Sequence, residues 1–204
     1  MSPKTKEQFE SIRQRSRDTI KQTALELFGR QGYHSTSISA IAKAAGVSKG
    51  LMYNYFESKE ALLVEIMTEV IATGMQLLDD ALAVSDVPFE QLEALLNRTV
   101  AWVQSNEHNW RLLTSLVFQP DVQEMLRPVT KVQEEAAIAK MLPLFERLGV
   151  ANPLGELLLY SAMTDGVMLQ YLQLGEDYPL AVMKELILGR YRIGGNRGMG
   201  CMGE

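Results

Sequence analysis

Apolar residues recur every three or four positions along nearly the whole chain, and nowhere do they alternate convincingly. That period leaves the α-helix as the one regular structure this chain can build in quantity. The spacing predicts an all-α fold of about nine helices in 204 residues. The first covers about 8–30, with Ile20, Ala24, Leu27 and Phe28 inward and Gly32 as its stop signal. The second covers about 37–44, turned inward by Ile38, Ile41, Ala42 and Ala45 and capped by Thr36. Gly46-Val47 reads as a tight turn, Ser48 as the cap of a third helix over 49–56, and Ser58 as the cap of a long fourth over 59–82. Pro88 opens a fifth helix to about 105, and a sixth runs from about 107 to 118. The stretch 121–148 is helical in pattern, but Pro128 and Pro143 predict a break and a kink. Asn152-Pro153 opens a helix to about 174 and Pro179 another to about 191, before a glycine-rich tail over 193–204 that is expected to be flexible.

The totals narrow the function. A chain that is 47% apolar and 22% charged is ordinary for a globular protein long enough to bury a core. Its net charge of −5 conceals an asymmetry: residues 1–60 hold 10 Lys/Arg against 6 Asp/Glu, and the remainder hold 10 against 19. A basic head on an acidic body suits a protein that meets phosphate at one end. The single cysteine, Cys201, cannot close an intrachain disulfide, and with two distant histidines it supplies no zinc site, so a reducing cytoplasm is expected. The first ten residues carry no secretory signal, and no run of about 18 apolar residues predicts a membrane span. There is no glycine-rich phosphate loop after a strand and no nucleophile motif, so neither an enzyme nor a cofactor is expected; the alternative to a protein that meets phosphate is a helical adaptor that binds another protein and no DNA.

The stretch SISAIAKAAGVSKGLMYNYF, Ser37 to Phe56, concentrates the chemistry. Two short helices flank a turn that contains glycine. The first turns Ile38, Ile41 and Ala42 inward; the turn needs Gly46, which bears no Cβ, and the small Val47. The second is anchored by Met52 and Phe56 and offers Lys49, Gly50, Leu51, Tyr53 and Asn54 outward. On DNA, Lys49 reaches guanine acceptors or a phosphate, Gly50 admits close approach, and Leu51 packs on a thymine methyl. Tyr53 and Tyr55 give hydroxyls to phosphates, and Lys59 lies at the start of the next helix beside the same backbone.

At these residues the chain resembles the TetR family of bacterial repressors, over about Ala24 to Met67. The shared pattern comprises Phe28, Gly32-Tyr33, Thr36, Ile41-Ala42, Gly46-Val47-Ser48, Tyr53, Tyr55-Phe56 and Ser58-Lys59. Leu51 departs from it, since the family often has a small residue or threonine there. The resemblance implies an all-helical homodimer that binds palindromic double-stranded operator DNA and lets go when a small apolar effector occupies the C-terminal region. It divides the chain into a helix-turn-helix domain over 1–58 and an effector-binding and dimerisation domain over 59–192. The DNA contacts it implies are Thr36, Ser37, Ser39, Ser48, Lys49, Gly50, Leu51, Tyr53, Asn54, Tyr55 and Lys59.

Beyond Met67 the residues speak more generally. Trp102, Trp110, Phe118, Met125, Phe145 and Met163 are candidates to line an effector pocket, because aromatic rings and flexible thioethers suit adaptable apolar cavities; at helical spacing they serve equally as plain core. Small residues at Gly155, Ser161, Ala162 and Gly166 allow close helix approach. With Leu180, Met183, Leu186 and Ile187 they are candidates for a four-helix subunit interface through 153–174 and 179–191. Asp165 stands out in an apolar run, with ligand, subunit seam and solvent all open to it.

Overall fold

Local signals place the helices. In the computed structural model, which describes residues 6–192, α1 spans Lys6–Gln31, α2 Ile38–Ala44, α3 Lys49–Tyr55 and α4 Lys59–Leu82. They are followed by α5 (Pro88–Ser105), α6 (Glu107–Val117), α7 (Pro120–Arg147), α8 (Pro153–Leu174) and α9 (Leu180–Arg192), with a short 3-10 turn over Gly175–Asp177. Ser48 and Ser58 cap as expected, accepting hydrogen bonds from the Leu51 and Ala61 N–H groups at 3.1 and 3.0 Å. The cap of α2 is Ser37 rather than Thr36: its hydroxyl accepts from the Ala40 N–H at 3.1 Å.

The break expected at Pro128 is absent, and α7 continues through Pro128 and Pro143 to Arg147. Each proline removes one helical donor. The carbonyls left without it belong to Glu124 and Ala139, both exposed, where water can satisfy them. Residues 193–204, including Cys201 and the glycine-rich tail, lie outside the described residues.

The chain divides into two units. The first runs through Val70 and adds His108–Thr130; the second takes Ile71–Glu107 and the chain from Lys131. Helices α4 and α7 thus each contribute residues to both. In the first unit Ile20, Ala24 and Phe28 of α1 meet Ile41 and Ala42 of α2, Met52 of α3, and Leu62, Leu63, Ile66 and Met67 of α4. Leu112, Leu113 and Leu116 of α6 complete that core with Val122 and Leu126 of α7. The approach of α6 to α1 depends on Gly29, where a Cβ would lie 2.5 Å from Leu112 Cδ2. Polar contacts border the same seam: His108 pairs with Glu26, His34 with Asp121, and Gln22 donates to Asn109 at 3.0 Å. The His108 contact holds the Glu26 carboxyl below its usual range.

Helix α4 is long and apolar enough, by length and composition, to cross a membrane. In this fold its Leu62, Leu63, Ile66, Met67, Leu78 and Ala81 are buried, and its Glu65 and Glu69 pair with Arg17 and Lys21 of α1.

In the second unit Leu92, Leu96, Val100 and Val103 of α5, Leu144 and Phe145 of α7, and Leu157, Tyr160 and Val167 of α8 are buried, and α5, α8 and α9 lie in contact. Phe145, Tyr160 and Tyr191 form a ring cluster with centroids 5.7 to 6.1 Å apart, an arrangement that adds about 0.5–1.5 kcal/mol per pair beyond burial. Arg190 grips Glu156 through two hydrogen bonds, 2.9 and 2.7 Å, fixing α9 on α8. Along the outside of these two helices Leu154, Leu158, Leu159, Val182 and Leu186 remain 40–65% exposed.

Candidate nucleic-acid interface

The turn between α2 and α3 is built from the backbone outward. The Ala45 N–H donates to Ile41 O at 2.8 Å and the Val47 N–H to Ala42 O at 3.0 Å, which closes α2. Gly46 sits between them at φ 70°, in the left-handed region where a side chain is strained. Met52 is fully buried and Phe56 nearly so, and they fix the inward face of α3. By elimination the opposite face is free: Lys49, Gly50, Leu51, Tyr53 and Asn54 are all exposed, Tyr53 by 49% and Leu51 by 37%. Ser37 and Ser39 on α2 and the cap Ser48 are exposed beside them.

Gly50 is informative in a different way from Gly46. A Cβ built there meets nothing within 4 Å. Nothing within this protein requires the glycine, so any demand for a bare backbone comes from outside it.

Two of the expected contact residues point their chemistry inward, and a third packs its ring against the core. Thr36 is buried, and its hydroxyl lies 2.9 Å from Gly32 O and 3.2 Å from Leu27 O, so it closes the end of α1. Lys59 extends its ammonium into the same turn, donating to Tyr33 O at 2.9 Å and Thr36 O at 3.0 Å while lying 4.2 Å from the Tyr33 ring centroid. The buried Tyr33 phenol is pushed far up by desolvation. Tyr55 is half-buried against the core, its backbone carbonyl accepting from Arg17 at 3.0 Å and its ring 5.9 Å from the Arg13 guanidinium. Arg17 also pairs with Glu65, so one guanidinium ties α1, the end of α3 and α4 together. Sequence reasoning did not single out Arg13 or Arg17; the cluster of basic residues over 13–17 was the available signal.

The pocket candidates divide between the two units, three to each. Trp110, Phe118 and Met125 belong to the first unit, where Phe118 is 63% exposed and Met125 packs on the core. Trp102, Phe145 and Met163 belong to the second, with Phe145 fully buried in the ring cluster. Asp165 is exposed on α8. Among the described residues no group of three or more His, Cys, Asp or Glu side chains is placed to hold a metal ion.

Residues 20–66 match the family described as bacterial regulatory proteins, tetR family. Over 113 residues, 55% of this chain, the sequence is 25% identical to the fatty acid metabolism regulator protein of Bacillus subtilis, and the match spans 58% of that relative's length. YxaF, a helix-turn-helix-type transcriptional regulator of the same organism, is 27% identical over 84% of this chain and 93% of its own. Among solved structures, a transcriptional regulator FadR from Bacillus subtilis in complex with stearoyl-CoA superimposes with a TM-score of 0.69 at 18% identity, covering 87% of this chain and 98% of that one.

Proposed function

Because the chain belongs, through residues 20–66, to the TetR family of bacterial regulatory proteins, we propose that it represses transcription by binding a palindromic operator as a homodimer and releases it when a small apolar effector binds. The observation that carries this reading is the outer face of α3. Lys49, Gly50, Leu51, Tyr53 and Asn54 are exposed on a helix whose other face is fixed by Met52. Lys49 and Asn54 suit base edges or phosphate, the Tyr53 hydroxyl suits phosphate, and Gly50 admits the close approach that base reading demands. Ser37, Ser39 and Ser48 extend the surface toward the backbone. Thr36, Lys59 and the Tyr55 main chain hold the turn that aims it.

The exposed aliphatic side chains of Leu154, Leu158, Leu159, Val182 and Leu186 support dimerisation through α8 and α9. In a homodimer the two copies of α3 read two half-sites about one DNA turn apart, or somewhat more. The region from residue 59 to 192 is the proposed effector-binding and dimerisation part. An apolar acyl compound is the first effector to test, given the fatty acid regulator among the relatives and the stearoyl-CoA complex of a FadR of like fold. Release follows if the effector favours an arrangement that does not fit the operator, a coupling of about 5- to 150-fold in affinity.

The test is selection of binding sites from random DNA by the full-length protein and by Tyr53→Ala. Enrichment of a palindrome by the wild type and its loss in the variant is the expected result. Enrichment of nothing at moderate salt overturns the reading, and equal operator affinity with and without a bound effector overturns the release step.

A further inference from the structure

Helix α1 begins at Lys6, fourteen residues before the family match starts at Ile20. That lead is about 21 Å of helix, and all of its residues through Arg15 are exposed. It lies alongside α3. Lys6, Phe9, Glu10, Ile12 and Arg13 form one wall of an open groove of about 480 Å³, and Leu51, Asn54 and Tyr55 of α3 form the other. The groove is therefore continuous with the face proposed to meet DNA.

Lys6, Glu10 and Arg13 share one face of α1, at helical spacings of four and three. Lys6 and Arg13 stand about 10 Å apart along the axis, the length of roughly three nucleotide steps of one strand. Between them Phe9 and Ile12 are 60% and 42% exposed, an apolar surface suited to the edges of deoxyribose. Among the described residues Glu10 is the one anion lining the groove, against Lys6 and Arg13, which leaves a net positive wall.

We propose that the N-terminal turns of α1 are a second DNA-contacting element, in which Lys6 and Arg13 hold phosphates of the backbone flanking the half-site read by α3. The proposal rests on the DNA-binding reading above and deepens it. Phosphate contacts add affinity and register without sequence preference. The α1 lead thus lengthens the footprint beyond the palindrome, and the Glu10 carboxylate tempers its grip.

The experiment uses full-length protein and the selected operator, titrated by fluorescence anisotropy between about 50 and 200 mM salt. Each lost phosphate contact makes the slope of log K against log salt shallower by about 0.9. The Lys6→Ala/Arg13→Ala double variant is expected to show that loss twice per head, with the ranking of half-site sequences unchanged. Trimming the base pairs outside the palindrome should erase the difference between wild type and variant, Arg13→Lys should keep the slope, and Glu10→Gln should tighten binding. An unchanged slope in the double variant, while Lys49→Ala weakens binding, overturns the proposal and leaves the DNA reading standing. An altered half-site ranking also overturns it, because α3 would then have been disturbed instead. A wild type that enriches no DNA overturns both.

Discussion

The outer face of α3 and the outer face of α8–α9 both leave large side chains in solvent, and they differ in what stands between those side chains. On α3, Leu51 and Tyr53 are interleaved with Lys49, Gly50 and Asn54, so apolar area, donors and bare backbone occur within one turn or two. On α8, Leu154 and Leu158 stand one turn apart with Leu159 beside them, and on α9 Val182 and Leu186 stand one turn apart, all of them exposed and all of them aliphatic. A mixed surface suits a charged polymer that offers sugar, phosphate and base edges together. An aliphatic surface suits another like it, and burying it against its own copy removes apolar area from water at about 25 cal/mol per Å². Exposure alone therefore does not identify an interface; the chemistry between the exposed residues does.

The largest expected effect comes from charging that aliphatic surface. Leu158→Glu with Leu186→Glu should convert a dimer to a monomer by analytical ultracentrifugation and weaken operator binding by about 10²- to 10⁴-fold, because two linked half-site contacts become one. Full operator affinity in a monomeric variant would break the comparison. Next comes Gly50→Ala. A Cβ there meets nothing in the protein, so the melting temperature should hold or rise with the helix preference of alanine. Operator affinity should nevertheless fall by about 10- to 100-fold, the worth of one good base contact. Lys59→Met sharpens the contrast within the head itself. Its ammonium is spent on Tyr33 O and Thr36 O, so affinity should drop while the salt slope stays that of the wild type; a slope shallower by about 0.9 would instead make Lys59 a phosphate contact.

The smallest effect is acid sensitivity at the α8–α9 clamp. Arg190 holds the Glu156 carboxyl below its ordinary value. A carboxylate depressed in the folded state adds stability above its unfolded value and loses it as pH falls through the folded one. Part-exposed pairs of this kind contribute about 0.2–1 kcal/mol. Glu156→Gln should be slightly less stable than wild type at neutral pH, with the difference vanishing at low pH in denaturant titrations.

What the sequence made legible is what depends on near neighbours. Ser48 before Lys49, Gly46 in the turn, Pro88 and Pro153 at helix starts act within four residues, and the structure places each as its local chemistry demands. What it did not make legible depends on which way a side chain faces once the core has closed. Thr36 and Lys59 carry groups that suit phosphate, yet the turn they belong to has carbonyls in need of donors, and those are closer. Pro128 and Pro143 read as helix breakers, but both occupy the solvent side of α7, where a missing backbone donor costs little. The six pocket candidates divide between the two units, three to each, because aromatic and methionine residues serve any apolar interior.

Gly29 has a consequence for anyone recombining this protein. Because its missing side chain lets Leu112 press against α1, the reader head is not a cassette that ends where its helix-turn-helix ends. A chimera that transplants residues 1–58 alone would leave behind Leu62, Leu63, Ile66 and Met67 of α4 and Leu112, Leu113 and Leu116 of α6, which share its core, whereas one that carries 59–70 and 108–130 along moves that core whole. The transferable module is discontinuous in sequence.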